Sequence, residues 1–346
     1  MSVRVRALEA ESRPASAENP GAAKRSDPGA ETFAVRWGKA ERLPGYEDVR
    51  GQPALVRALE IAAAGGHNLL VYGPPGTGKT LALRRFPCLL PELDRETALT
   101  VARIHSIAGL LNPADRTTGA GGLLREPPFR EPHQNASLEG MTGGGRLCHP
   151  GEISLAHGGV LYLDEAAQFR TSVLQTLRTP LETGRVTVSR AGRSDTYPAR
   201  FQLLASLNPC PCGNFGSPGR ICTCTPDMIG RYWKRLTAPL LDRIDLRVAA
   251  GIPDPESLAG GPSFSTADLR GEIGRARLIQ WKRNREAAVR PADGAQEGWL
   301  NAGLGPAEMA AACQLGERER KVFAEGMEAA GLSGRGGHGV LKVART

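Results

Sequence analysis

Apolar positions along this chain change period several times, and each change marks an element. From residue 53 to 64, Leu55, Leu59 and the Ile61-Ala62 pair recur at helical spacing, and Gly65-Gly66 stops the run. Three short, mostly apolar runs, 69–72, 159–163 and 201–207, have the composition of strands buried on both faces, as in a parallel sheet. Helical runs lie between them. One covers 81–86. A second covers 94–111, with Leu99, Ala102 and Ile107 on one side. A third covers 169–182, with Val173, Leu174, Leu177 and Leu181, and ends at Gly184. Residues 186–189 alternate as a strand does, 190–193 form a turn, and 195–199 return as a hairpin. After a linker-like stretch at 253–265 the pattern is helical only, over 266–289, 306–313 and 317–330. Strands alternating with helices, then helices alone, predict an α/β domain with a parallel sheet at 45–252 and a small helical domain at 266–346.

Two polar stretches interrupt this order. Residues 1–44 are rich in Ala, Glu, Ser, Pro and Arg and bury too little apolar area to offset ordering entropy, so they are expected to be a disordered tail; a linker is the competing view. Residues 112–157 are glycine-rich and basic, and a loop of that length predicts a mobile insertion. A length of 346 residues accommodates a sizeable core in two units. A net charge of +8 favours a polyanionic partner such as DNA without saying where the charge sits. No apolar run approaches bilayer length, and residues 1–6 lack a secretory h-region. A cytoplasmic protein with no membrane partner is expected, its seven cysteines serving as metal ligands or packed thiols.

The chemistry starts at Gly73, Pro74, Pro75, Gly76, Thr77, Gly78, Lys79 and Thr80, a G-x-x-x-x-G-K-T run between an apolar strand and a helix. Such a loop turns its amides onto phosphates, Lys79 reaches the β- and γ-phosphates, and Thr80 offers its hydroxyl to Mg²⁺. The strand at 159–163 ends in Asp164 and Glu165, placed to hold Mg²⁺ and to activate water. Asn208 ends the strand at 201–207, where an amide can contact the γ-phosphate or the attacking water. Cys210, Cys212, Cys222 and Cys224 form two C-x-C pairs, readable as a structural Zn²⁺ site, as plain thiols or as a redox pair. Arg243, flanked by acids, is either a salt-bridged surface residue or an arginine finger for a neighbour's γ-phosphate. Arg190 and Arg193 sit at the tip of a hairpin that is either plain surface or a polyanion contact. Six basic residues between 270 and 285 fit a solvated helical face.

These motifs, and the wording "AAAGGHNLLVYGPPGTGKT", "PGEISLAHGGVLYLDE", "NPCPCGNFG", "CTCTP" and "APLLDRIDLRV", closely resemble the magnesium-chelatase-like AAA+ ATPases of the ComM/YifB type from about residue 46 onward. The resemblance implies a P-loop AAA+ domain with a helical lid. Residues 112–157 then correspond to a helix-2 insert and 186–199 to the hairpin before sensor 1. Lys79 and Thr80 match Walker A, Asp164 and Glu165 Walker B, Asn208 sensor 1, Arg243 the arginine finger and Arg335 sensor 2. It further implies ATP and Mg²⁺ as cofactors, a hexameric ring, and DNA branch migration linked to competence. The related chelatase subunit is the alternative. Members of this type carry a Lon-like domain ahead of the ATPase, which a tail of some 44 residues is too short to hold. Gly334, Gly336, Gly337 and Gly339 crowd the sensor-2 segment, and interior glycines at about 0.8–1 kcal/mol each remove roughly 3 kcal/mol of helix stability. A nucleotide-binding paralogue poor in hydrolysis is therefore a third expectation.

Overall fold

The three apolar runs form adjacent strands of one parallel sheet. The computed structural model describes residues 35–37, 44–111, 123, 125–190, 193–261, 263–286 and 300–346. Its strands are β1 (Leu69–Tyr72), β2 (Phe129–Arg130), β3 (Gly143–Gly144), β4 (His149–Pro150), β5 (Gly159–Leu163), β6 (Arg185–Arg190), β7 (Arg193–Pro198), β8 (Phe201–Leu207) and β9 (Leu246–Ala249). Helices α1 (Pro53–Gly65), α2 (Lys79–Arg84), α3 (Arg95–Ile107), α4 (Leu138–Thr142), α5 (Glu152–Leu155), α6 (Thr171–Thr176) and α7 (Arg178–Thr183) alternate with them. Then come α8 (Pro226–Trp233), α9 (Ala238–Leu241), α10 (Pro255–Ala259), α11 (Thr266–Glu286), α12 (Pro306–Ala312), α13 (Glu317–Ala330) and α14 (Gly334–Ala344).

The sheet order is β2-β5-β8-β1-β9, and every neighbouring pair in it is parallel. Late-arriving β8 inserts between β1 and β5, with Leu70 beside Ala205 and Leu161 beside Leu203. Side chains alternate between two buried faces, as two-sided strands require. Leu69, Val71, Val160, Tyr162 and Leu204 face a core built with α1 and α2. Leu70, Leu161, Leu163, Leu203 and Ala205 face a second core with Phe169, Val173 and Leu177.

Several expectations need correction. The insertion at 112–157 is not loop throughout. Residues 112–122 lie outside the described residues, but Phe129 and Arg130 extend the central sheet, and Met141, Cys148 and Ile153 are fully buried in its core. The β6–β7 hairpin stands on this segment. Val186, Val188 and Tyr197 pack into the same core, and Tyr197 Oη donates to the Cys148 carbonyl at 2.8 Å. The single helix expected at 169–182 is two short ones joined at Leu177. Most of the 1–44 tail lies outside the described residues, yet Trp37 packs on the first core with the Arg270 guanidinium 5.3 Å above its ring.

The basic helix α11 is not simply solvated. Arg270 Nε donates to the Cys88 carbonyl at 2.7 Å, Arg277 Nη2 to Ala63 at 2.6 Å, and Gln280 Nε2 to Ala64 at 3.1 Å. The last two donors satisfy carbonyls left open at the C-terminus of α1, where positive charge is favoured, and the first satisfies a carbonyl in the 3-10 turn Phe86–Leu89. The glycine-rich end is likewise a complete helix, α14, with Ser333 capping the Gly336 amide at 3.1 Å. Its glycines permit close packing: a Cβ on Gly337 would lie 2.6 Å from Met327 Sδ, and one on Gly339 would lie 3.2 Å from Asp245 Oδ1. The expected loss of about 3 kcal/mol omitted this contact.

His157 predicts a pH dependence of folding. It is 8% exposed, and its Nδ1 accepts the Arg200 amide at 3.1 Å, a bond only the neutral ring makes. Burial first, then the Arg200 charge, pulls its pKa from 6.5 to about 4. The unfolded chain therefore binds the extra proton between these values, and stability falls as pH drops from 6.5 toward 4. The loss should reach on the order of 2–3 kcal/mol. Denaturant melts from pH 7.5 to 4.5 should show it, and His157→Gln should flatten the profile; an unchanged slope in that variant would assign the dependence elsewhere.

Candidate active site

Three neighbouring strands end at one edge of the sheet, and each delivers part of the site. Gly73 leaves β1 with its amide donating to the Leu207 carbonyl at 3.1 Å. Only glycine fits there, because a Cβ would sit 2.2 Å from the Ala250 carbonyl oxygen. Gly76 and Gly78 have φ of +82° and +84°, with open space where side chains would project. Thr77 Oγ1 donates to Pro74 at 3.0 Å, and Gln52 ties the loop from behind through the Thr77 and Gly251 carbonyls at 2.9 and 2.6 Å. The result is a glycine-walled cradle at the start of α2, the shape that phosphate requires.

Lys79 is 7% exposed at the floor of the cradle. Its Nζ donates to the Gly73 and Pro74 carbonyls at 2.7 Å each and lies 3.5 Å from Asn208 Oδ1. Burial lowers its pKa, and Asp164 and Glu165 oppose that shift. Thr80 Oγ1 stands 3.4 Å from both Asp164 carboxylate oxygens, longer than a good O–H···O bond. A hydroxyl facing a carboxylate across that gap is a hard-oxygen donor set that fits Mg²⁺.

Asp164 and Glu165 follow β5. Tyr162 Oη donates to Asp164 Oδ1 at 2.7 Å, and Ser206 Oγ donates to the same oxygen at 2.5 Å. Burial, then the bond to Asp164, raises the Tyr162 pKa, so Tyr162 remains a donor. Glu165 occupies left-handed backbone at φ 51°, a conformation that costs a non-glycine residue energy and marks functional sites. Ser206 Oγ accepts the Glu165 amide at 2.9 Å and holds that turn. The Glu165 carboxylate takes one bond from Asn208 Nδ2 and one from Gln134 Nε2, both 3.2 Å. Lys79, Thr80, Asp164, Glu165 and Asn208 thus converge.

Tyr162, Ser206, Gln134 and Gln52 are the partners that sequence reasoning missed. Tyr162 and Ser206 each precede a recognised residue by two positions on a strand and so share its face, a usable signal. Gln134 comes from the insertion and carries none.

Arg243 and Arg335 lie elsewhere. The Arg243 carbonyl accepts Asn68 Nδ2 at 2.8 Å, at the start of β1, whereas the phosphate cradle follows its end. A four-residue strand separates them by roughly 13 Å. Both guanidiniums meet one carboxylate: Arg243 Nη2 pairs with Glu182 Oε2, and Arg335 Nη2 with Glu182 Oε1 at 2.7 Å. The Arg243 bond first, then that of Arg335, lowers the Glu182 pKa. Arg243 Nε is buried with no acceptor among the described residues. Beside them, Arg200, Arg277 and Lys342 join the wall of a cleft of about 670 Å³.

The hairpin arginines are both paired, Arg190 with Glu139 and Arg193 with Asp195 at 2.7 Å, and the turn between them lies outside the described residues. The four clustered cysteines place their sulfurs within 4.8 Å of one another. Among the described residues no helix is long and apolar enough to cross a membrane.

Comparison with known proteins agrees with this fold. Residues 45–257 match the family model for magnesium chelatase subunit ChlI, and residues 263–346 match the model for its C-terminal region. The chain is 43% identical over 303 residues to the uncharacterized protein YifB of Escherichia coli K12, covering 86% of this chain and 55% of that one. It is 39% identical over 303 residues to competence protein ComM of Haemophilus influenzae, with the same coverage. Against the magnesium-chelatase 38 kDa subunit of Acidiphilium rubrum the identity is 31% over 185 residues, 47% of this chain and 52% of that one. The chain spans about 55% of the length of the YifB and ComM relatives. A P-loop α/β domain with a helical C-terminal region, matched along nearly its whole described length, belongs to the magnesium-chelatase-like family and is of the ComM/YifB type.

Proposed function

We propose that this chain is an ATPase that works within a ring, hexameric by family likeness, and remodels branched DNA. One observation carries the ATPase reading: the site is divided between two edges of the molecule. Lys79, Thr80, Asp164, Glu165 and Asn208 converge on one edge, while Arg243 and Arg335 wait on the opposite edge around Glu182. Cations that cannot reach their own cradle are placed to serve a neighbour's, as an arginine finger does.

In this reading Lys79 exchanges its loop carbonyls for the β- and γ-phosphate oxygens of ATP. Thr80 and Asp164 would hold Mg²⁺, which when bound would supply positive charge against those oxygens. Glu165, oriented by Asn208 and Gln134, takes the proton of a water whose oxygen bonds to the γ-phosphorus as the bond to the β-phosphate oxygen breaks. Arg243 and Arg335 of the next subunit stabilise the charge that moves onto the leaving group. Cys210, Cys212, Cys222 and Cys224 hold a structural Zn²⁺. The DNA part draws on the +8 charge, the arginine-bearing hairpin and the name of the competence relative. Identity to the ComM/YifB relatives over 86% of the chain, against 47% for the chelatase subunit, favours this branch over porphyrin metallation. The close packing of the α14 glycines supports a hydrolysing enzyme over the hydrolysis-poor alternative as far as that alternative draws on them.

Steady-state kinetics test the chemistry. Glu165→Gln should lower kcat by at least about 100-fold and leave binding of a fluorescent ATP analogue intact. Ser206→Ala should cost about tenfold in kcat with KM changed less than about threefold. An intact protein without Mg²⁺-dependent hydrolysis would end the ATPase reading. For action across subunits, Arg243→Ala and Glu165→Gln should each be inactive alone, and an equal mixture should regain up to about a quarter of the wild-type rate by random assembly. A mixture that stays inactive would count against a shared site. Binding of branched DNA, followed by fluorescence anisotropy, should weaken at least about tenfold in Arg190→Glu/Arg193→Glu, with the salt slope reduced by about 2. Unchanged affinity and slope would remove the hairpin from the DNA surface.

A further inference from the structure

We propose that Zn²⁺ bound by the cysteine quartet is a positioning element of the nucleotide site, setting Asn208 and the phosphate loop through a rigid loop; this rests on the ATPase reading above. The sulfur spacing fits the ion. Cys210 Sγ lies 3.4 Å from Cys212 Sγ and 3.7 Å from Cys222 Sγ, and Cys212 Sγ lies 3.7 Å from Cys222 Sγ. A tetrahedron of thiolates at about 2.3 Å from zinc has edges of about 3.8 Å. All four cysteines are free thiols, and four soft sulfur donors select Zn²⁺ over Mg²⁺ or Ca²⁺. With every position taken by sulfur, the ion has no vacancy for substrate.

The loop that carries the quartet has little else to hold it. It runs from Asn208 to Thr225, the cap of α8, without a helix or strand. Phe215 is 53% exposed and Ile221 85%, so the loop's large apolar side chains form no core of their own. Of the four cysteines only Cys210 is buried, and its sulfur accepts the Phe215 amide at 3.4 Å, the kind of bond that orients a metal-bound thiolate.

Two contacts connect this loop to the nucleotide site. At its start, Cys210 stands two residues beyond Asn208, whose side chain bonds Glu165 at 3.2 Å and approaches Lys79 at 3.5 Å. Pro209 between them accepts Trp233 Nε1 at 3.0 Å, and the Trp233 ring meets Tyr72 edge-on at 5.7 Å. Further along, Gly213 passes over the phosphate loop with φ +81°. A Cβ there would lie 3.0 Å from Pro75 Cδ and 3.2 Å from Cγ. Fixing the sulfurs to one ion therefore fixes both ends of a bridge from Asn208 to Pro75, while loss of the ion frees a span with no core.

The test uses the full chain purified from zinc-supplemented medium. Elemental analysis should give about one zinc per chain, and Cys222→Ser should fall below about half. Stripping zinc with a mercurial and a chelator should speed amide exchange in peptides covering 73–80 and 206–210 by at least about threefold. It should also lower kcat about tenfold, with affinity for a fluorescent ATP analogue changed less than about threefold. Gly213→Val keeps all four thiols and should retain its zinc, yet lose activity because its side chain strikes Pro75. Less than half an equivalent of zinc in the wild type, oxidation of the four thiols to disulfides as purified, or unchanged exchange at 73–80 after stripping would each overturn the proposal. A zinc-loaded wild type that hydrolyses no ATP would sink the ATPase reading on its own, and the exchange measurement would still decide the coupling.

Discussion

The insertion of β8 between β1 and β5 is the constraint on which the site depends. Parallel pairing on both sides of β8 aligns three carboxyl ends, so that Gly73, Asp164 and Asn208 emerge side by side although 135 residues of sequence separate the first from the last. Ligands of open α/β sheets bind outside the carboxyl ends of their strands, and here that edge holds both the anion cradle and the carboxylates. Ser206, the last position but one of β8, joins the two acidic residues through a single hydroxyl. It donates to Asp164 and accepts from the amide of Glu165, and so stabilises a backbone conformation that Glu165 adopts at a cost.

How much of this is legible in the sequence follows from which interactions are local. The cradle is legible because its requirement is local: glycine where φ is positive or a carbonyl is too near, and a lysine at the start of a helix. β5 and β8 are legible because strands buried on both faces are apolar at most positions. The order in which they pair is a long-range fact without a local trace. Tyr162 and Ser206 are half-legible, since the two-residue period puts them on the face of Asp164 and Asn208, but nothing local says that their hydroxyls are needed there. Gln134 is illegible, arriving from a segment whose glycines and arginines suggest loop, and whose burial rests on Met141, Cys148 and Ile153 meeting a sheet distant in sequence.

The same limit explains the errors at the helical end. Propensity counts Gly337 and Gly339 as defects in a helix, whereas packing uses them as the points where α14 reaches Met327 and Asp245. Asp245 in turn accepts His67 Nδ1 at 3.0 Å, and His67 Nε2 meets Thr346 Oγ1 at 2.7 Å, so the helical C-terminal region, the start of β1 and the segment just after Arg243 form one hydrogen-bonded unit. Arg270 and Arg277 of α11 read as surface charge in sequence because the carbonyls that they satisfy, Cys88 and Ala63, lie some 180 and 210 residues earlier.

In the ring proposed above, the shared carboxylate of Glu182 has a consequence for how copies of the chain would meet. Two guanidiniums held on one acid repel each other and are neutralised only in part. They give up that acid only to a partner carrying more negative charge in as small a space. A neighbour with an empty cradle offers nothing of the kind, and a neighbour holding a triphosphate does. In the proposed ring, the contact between subunits would thereby become a competition between anions, its outcome reporting whether the next subunit is loaded.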